Sequence, residues 1–138
     1  MLSHLKFLPA VLCLQEIWSS HANLEIPGYH YIEFYSRDMN TLANYNCGGG
    51  VGIFVRKDLN YQVLNIKNSV LKGVFESFWI KLETANNGTK IIGCCYRPNT
   101  APLASVPAFN IAMEEILSNL RLNYCKANLI VAGDFNIE

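Results

Sequence analysis

Short apolar runs and two-residue alternation dominate this chain, and a helical repeat occurs once, late. Ala10 to Gln15 is a short apolar run that predicts a buried strand ending at the acidic Glu16. Ile17 to Gly28 is mostly polar, with one large aromatic, Trp18, and reads as loop. From Tyr29 to Tyr35 aromatic and polar residues alternate, as in a half-exposed strand. Ser36 to Asn46 is polar again, and Cys47-Gly48-Gly49-Gly50 forms a tight loop into a strand at Val51 to Val55, closed by Arg56-Lys57-Asp58. Tyr61 to Ile66 predicts another strand. Phe75 to Glu83 alternates more cleanly, and Asn86-Asn87-Gly88 marks a hairpin turn to a partner strand at Lys90 to Tyr96. Arg97-Pro98 stops that strand.

Thr100 to Pro107 reads as a proline-rich connector. Phe109, Met113, Ile116, Leu117 and Leu120 then recur at helical spacing, opposite Asn110, Glu114, Glu115 and Ser118, so a helix lies on a sheet here. Leu129 to Ala132 is continuous and apolar, short enough for a strand buried on both faces. Gly133 ends it, since a residue without a Cβ lets the backbone turn sharply. Strands throughout with one clear helix late predict a mixed α/β (α+β) layered fold. No internal repeat or low-complexity segment interrupts it.

Composition and charge are those of an ordinary folded domain. With 138 residues, 51% of them hydrophobic, the chain fits one domain or part of a larger one. Eleven basic and eleven acidic residues cancel. A nucleic-acid binder often carries a basic excess, so neutrality argues against such a partner unless a groove is locally basic. None of the five cysteines is spaced as a metal-ligand pair. Cys13, Cys94 and Cys95 sit in apolar runs and read as reduced core thiols of an intracellular protein, nuclear or cytoplasmic. The three histidines, His4, His21 and His30, form no cluster. Lys6 followed by Phe7 to Leu14 resembles a signal-peptide core, but Gln15-Glu16 follows where a small-residue cleavage site belongs, and a strand explains the same residues. No run of about 18 apolar residues exists to span a membrane. The Asn87-Gly88-Thr89 sequon reads as a turn. Both ends of the chain fall against elements that should be central, so a longer parent is expected.

Candidate chemistry gathers at strand ends. Asp134 and Asn136, two apart on an extended turn, point the same way, while Phe135 faces the other side as an anchor. A carboxylate beside an amide donor suits activation of water near a phosphate. An Asx-turn, in which both side chains bond only their own backbone, is the plainer alternative. Glu16 and Asp134 would repel each other in one site unless a cation joined them, and Mg²⁺ takes one or two carboxylates with waters and phosphate oxygens. The runs at Val11 to Leu14 and Leu129 to Ala132 are expected to be neighbours in one sheet, bringing both carboxylates to the same edge. The three glycines suggest a phosphate cradle, but no Lys-Ser/Thr follows them.

Four motifs in order resemble the endonuclease/exonuclease/phosphatase superfamily: Leu12-Cys13-Leu14-Gln15-Glu16, Gly49-Gly50-Val51-Gly52-Ile53-Phe54-Val55, Tyr96-Arg97-Pro98-Asn99 and Gly133-Asp134-Phe135-Asn136. The Tyr-Arg-Pro turn and the ending Gly-Asp-Phe-Asn-Ile-Glu look closest to the apurinic-endonuclease-like domain of non-LTR (LINE-type) retrotransposon polyproteins. That resemblance implies a four-layer αββα sandwich, incomplete over residues 1–138, and a Mg²⁺- (or Mn²⁺-) dependent nuclease that nicks DNA. It implies a reverse transcriptase domain in the same parent polyprotein. By position, Glu16 would hold the metal, and Asp134 would orient or deprotonate the attacking water. Asn136 would fix Asp134 or contact the phosphate. Tyr96 would hydrogen-bond a phosphate oxygen, converging with Asn136 on the cleft of Glu16. Glu76 matches a supporting acidic position, and Arg97 is either a contact to the DNA backbone or a solvated turn residue. The family's first strand, with its metal-site Asn, and its C-terminal half, with a later Asp and a Ser-Asp-His motif, have no counterpart in these residues. Two other functions stay open: a catalytically inactive remnant that binds a partner, and a superfamily phosphodiesterase acting on a small-molecule or lipid headgroup.

Overall fold

A computed structural model describes residues 8–17, 24–34, 49–85 and 88–137. His4, His21, Trp18, Cys47 and the Asn86-Asn87 turn lie outside the described residues. β1 (Val11–Gln15), β2 (Tyr29–Phe34) and β3 (Val51–Arg56) form one antiparallel sheet in the order β1-β3-β2. β4 (Asn60–Leu64), β6 (Phe75–Thr84), β7 (Gly88–Tyr96) and β8 (Asn128–Asp134) form the second, with the two-residue β5 (Val70–Leu71) on β6. The one helix among the described residues, α1 (Val106–Asn123), carries the chain from β7 back to β8, which therefore pairs parallel.

Alternation along β6 and β7 builds two cores from one sheet. Phe78, Ile80, Leu82, Ile92, Cys94 and Tyr96 face the first sheet, meeting Val51, Ile53 and Val55 of β3. Phe75, Trp79, Ile91 and Cys95 face the other way, onto Phe109, Ala112, Ile116 and Leu120 of α1. Gly93 is fixed by this packing, because a Cβ there would lie 2.5 Å from the Trp79 ring. Helix, sheet and sheet thus stack in layers, an α/β sandwich with one core on each side of the second sheet.

Several expectations need correcting. β1 and β8 are not neighbours in one sheet. β3 takes the edge of β1, and the α1 crossover delivers β8 beside β7, so the two strands sit in facing sheets. Neither is buried on both faces: β1 is half-buried throughout, and Ile130 on β8 is 43% exposed. The strand expected at Tyr61 to Ile66 is shorter, ending at Leu64. The expected connector at Thr100 to Pro107 ends in a 3-10 turn at Leu103–Ser105, and the helix has already begun at Val106. Pro107 fits its first turn, where a backbone N–H has no helical partner to lose.

Candidate active site

The register of the second sheet puts three candidate residues on one rung. Glu76 on β6 pairs with Tyr96 on β7, which pairs with Asp134 at the end of β8. All three belong to the face turned toward the first sheet, because they keep step with Phe78, Cys94 and Ala132. Neighbouring strands lie about 4.8 Å apart, so the rung is a compact row.

The first sheet meets this row at the ends of two strands. Glu16 leaves β1 with φ 54°, a left-handed backbone that is costly for a residue with a Cβ. Its exposed carboxylate accepts a hydrogen bond from the Tyr96 hydroxyl at 2.6 Å. Gly50, just before β3, donates its N–H to the buried Glu76 carboxylate at 2.7 Å. Gly49 and Gly50 have φ 133° and 93°, which only glycine adopts readily, so the glycines serve this approach rather than a P-loop.

The Asp134 turn has the expected Phe135 anchor, and it also makes one of the two bonds of the plainer Asx-turn alternative. Phe135 turns into the helix-side core, its ring 6.1 Å from that of Phe109. Asp134 is exposed, and its carboxylate accepts the Asn136 N–H at 3.3 Å, so the Asx-turn is real. Asn136 is also left-handed, at φ 42°. Its side-chain amide donates to the Arg97 carbonyl at 2.8 Å rather than to Asp134. Non-glycine residues in this region cost on the order of 1–3 kcal/mol and collect at functional sites. Two of the positive-φ residues here are candidate site residues.

Glu16, Asp134, Tyr96 and Glu76 therefore share one end of the sandwich, with Asn136 beside them. Arg97 does not join them as a substrate contact. It is 1% exposed, with its guanidinium turned inward onto the carbonyls of Asn136, Ala101 and Pro102. Neither a contact to DNA nor a solvated turn position fits it, because it is buried and those internal acceptors hold its Nη1 and Nη2 donors, while its buried Nε has no partner. The thiols nearest the rung are not nucleophiles either. Cys94 donates to the Leu14 carbonyl and is held well above the usual thiol range by its bond with Cys13 and by burial. Burial pushes Cys95 up to about 12. Sequence reasoning had no local signal for the Gly50–Glu76 bond or the inward turn of Arg97, since each joins segments far apart in the chain.

Among the described residues, no group of three or more His, Cys, Asp or Glu is placed to hold a metal ion. The side chains that flank Tyr96 offer hard oxygens, the Glu16 and Asp134 carboxylates. That chemistry fits Mg²⁺ or Mn²⁺, which bind through one or two carboxylates and otherwise water. No helix among the described residues is long and apolar enough to cross a membrane.

A family model described as "Endonuclease/Exonuclease/phosphatase family" matches residues 4–138. The chain is similar in structure to the human Nocturnin catalytic domain, solved with a bound sulfate anion, at a TM-score of 0.66 and 24% identity. The match covers 94% of this chain and 52% of that one, so the chain spans about half the length of the solved domain. That likeness shows the fold. No curated protein matches the chain.

Proposed function

The chain belongs to the endonuclease/exonuclease/phosphatase family, and from that premise we propose that it forms part of a metal-dependent phosphodiesterase that nicks DNA in a retroelement parent. Members of the family are nuclease- or phosphatase-type hydrolases, generally dependent on a divalent metal. The observation that carries the proposal is the 2.6 Å bond between Tyr96 and Glu16, which joins the two sheets beside Asp134. Glu16 would hold Mg²⁺ or Mn²⁺. A metal there supplies Lewis-acid stabilisation of charge on the phosphate.

The chain's own groups divide the remaining work. Tyr96 commits its proton to Glu16 and so fixes the carboxylate; to meet a phosphate oxygen it would exchange that bond. Asp134, exposed at the rim, accepts the proton of the attacking water. The Asn136 N–H holds the Asp134 carboxylate in place. Glu76, buried behind Tyr96, ties the Gly50 loop to the rung. A reverse transcriptase in the same polyprotein would use the nicked strand, a reading supported by the Tyr96-Arg97-Pro98 and Gly133-Asp134-Phe135-Asn136 sequences. Zero net charge supports a second reading, a smaller phosphate ester as substrate.

The test is nicking of supercoiled plasmid in Mg²⁺. It uses the 138-residue chain and a longer form carrying the later Asp and the Ser-Asp-His motif of the family. A misplaced reacting group costs roughly a hundredfold, so the longer form should nick and the chain alone should fall below detection. Asp134→Ala should lower the rate by about 10²- to 10⁴-fold, the range of a general base. Nicking indifferent to Asp134→Ala would overturn the assignment. Hydrolysis confined to small phosphate esters would favour the second reading.

A further inference from the structure

The turn that carries Asp134 is held from behind by a charge that never reaches solvent. Arg97 Nη1 donates to the Asn136 carbonyl at 2.9 Å. Nη2 donates to the Ala101 and Pro102 carbonyls at 3.3 and 3.0 Å and to Ser105 Oγ at 3.2 Å. In return, Asn136 Nδ2 donates to the Arg97 carbonyl at 2.8 Å, and the Arg97 N–H donates to the Asp134 carbonyl at 2.8 Å. We infer that Arg97 is a positioning residue, whose guanidinium fixes the left-handed Asn136 backbone and thereby aims Asp134 into the cleft. The catalytic meaning of this rests on the phosphodiesterase reading; the clamp itself does not.

The partners of the guanidinium define its role. Among the described residues they are carbonyls and one hydroxyl, with no carboxylate. Charge pairing therefore does not account for the residue, whereas a planar fork that reaches two segments at once does. A lysine carries the same charge on a single nitrogen and spans only one side. Because the Asn136 N–H anchors the Asp134 carboxylate, any rotation about Asn136 moves that anchor. The Nη1 bond opposes the rotation, and the Asn136 side chain locks it from the other direction. A plainer role would be to tie the start of α1 through Ala101, Pro102 and Ser105, leaving the Asp134 turn to itself.

NMR on the ¹⁵N-labelled 138-residue chain separates the two roles without needing activity. Arg97→Lys should shift the backbone amides of Asp134 to Ile137 and speed exchange of the Asn136 side-chain amide by at least about tenfold. The Trp79 indole N–H, bonded to Ser77 Oγ at 2.9 Å, should stay put and report an intact core. Ser105→Ala removes two bonds, from Arg97 Nη2 and to the Pro102 carbonyl, both on the helix side, and should leave Asp134 to Ile137 unmoved. Unshifted signals in Arg97→Lys, or the same shifts in Ser105→Ala, overturn the inference. Should Arg97→Lys lose the Trp79 signal and unfold, Asn136→Gly replaces it, since glycine accepts the left-handed backbone and deletes only the return bond. Exchange of the Arg97 amide should then rise about tenfold, and unchanged exchange overturns the clamp. In whichever form nicks plasmid, Arg97→Lys should lower kcat by about 10- to 100-fold with KM unchanged, whereas a rise in KM alone overturns it. If no form nicks, the phosphodiesterase reading fails while the NMR result still decides the clamp.

Discussion

β7 and β8 run side by side in parallel register, and both are written as apolar runs, yet they live in different surroundings. β7 is buried from Ile91 through Tyr96, with β6 on one side and β8 on the other. β8 has one strand neighbour among the described residues, and the strand facing it, β1, is itself an edge. Between them lies an open cavity of about 620 Å³, lined in part by Val11, Cys13, Ile92, Ile130 and Ala132. The helix side of β8 is covered, since Leu129 and Val131 pack on the α1 core. Only one of its two faces differs from β7. An apolar run thus reports what a strand is able to cover, and not how many neighbours it has.

The comparison is sharpest where β6 and β7 meet. The Trp79 ring is fully buried and occupies the space that a side chain at position 93 would take. Trp79→Ala should cost about 3–5 kcal/mol of stability, the range for deleting a large buried aromatic. Urea denaturation reads it as a lower midpoint at constant slope. A loss no greater than that of an edge-strand substitution would mean the β6–β7 core is looser than its burial implies.

These two strands also show which parts of the molecule the sequence could reveal. Alternation found β6 and β7, and the helical stripe found α1 with Phe109, Ile116 and Leu120 on its buried face, because periodicity is local. β5 escaped because two residues carry no period. The start of α1 escaped because Pro107 looks like a breaker unless the first turn is already known. Glu16, Tyr96 and Asp134 were legible as candidates from their motifs. Their meeting was expected as well, but the route was not legible: β1 and β8 lie in facing sheets rather than one, since register depends on pairing between distant segments. Arg97 beside a proline read as either a contact to the DNA backbone or a solvated turn residue, and only the carbonyls of Ala101, Pro102 and Asn136 give it a reason to turn inward.

The thiols extend the comparison to reactivity and pH. Cys95 on β7 is 1% exposed, and burial raises it from 9.0 to about 12. Cys13 on β1 is half-buried at the cavity, and its bond with Cys94 lowers it. At pH 8 a small alkylating reagent should label exposed Cys125 first, Cys13 next, and Cys95 only on unfolding, as read by mass spectrometry of digests. The linked stability has a definite sign. A thiol raised in the fold favours its protonated form there, so its contribution is complete below about pH 9 and is lost toward pH 12, at up to about 1.4 kcal/mol per pH unit. Equal labelling of Cys13 and Cys95 in the native state would erase the distinction between the two strands.

The smallest expected effect tests the cavity itself. Ile92 and Ile130 are register partners on adjacent strands and face the same side, so they differ in surroundings rather than in type. Ile92 is 6% exposed and packs with Phe78, Ile80 and Val55 in the inter-sheet core. Ile92→Ala should therefore cost about 2–5 kcal/mol, as buried isoleucines do. Ile130 is 43% exposed at the cavity wall, so truncation removes contacts made largely with water. Its loss should be below about 1 kcal/mol, because transfer free energy scales with the apolar area taken from solvent. Matched urea curves for the two variants give the difference directly, with the neighbouring Leu129 and Val131 left in place to hold β8 on the helix. If Ile130→Ala instead costs as much as Ile92→Ala, the cavity is closed in solution and β8 is as much a core strand as β7.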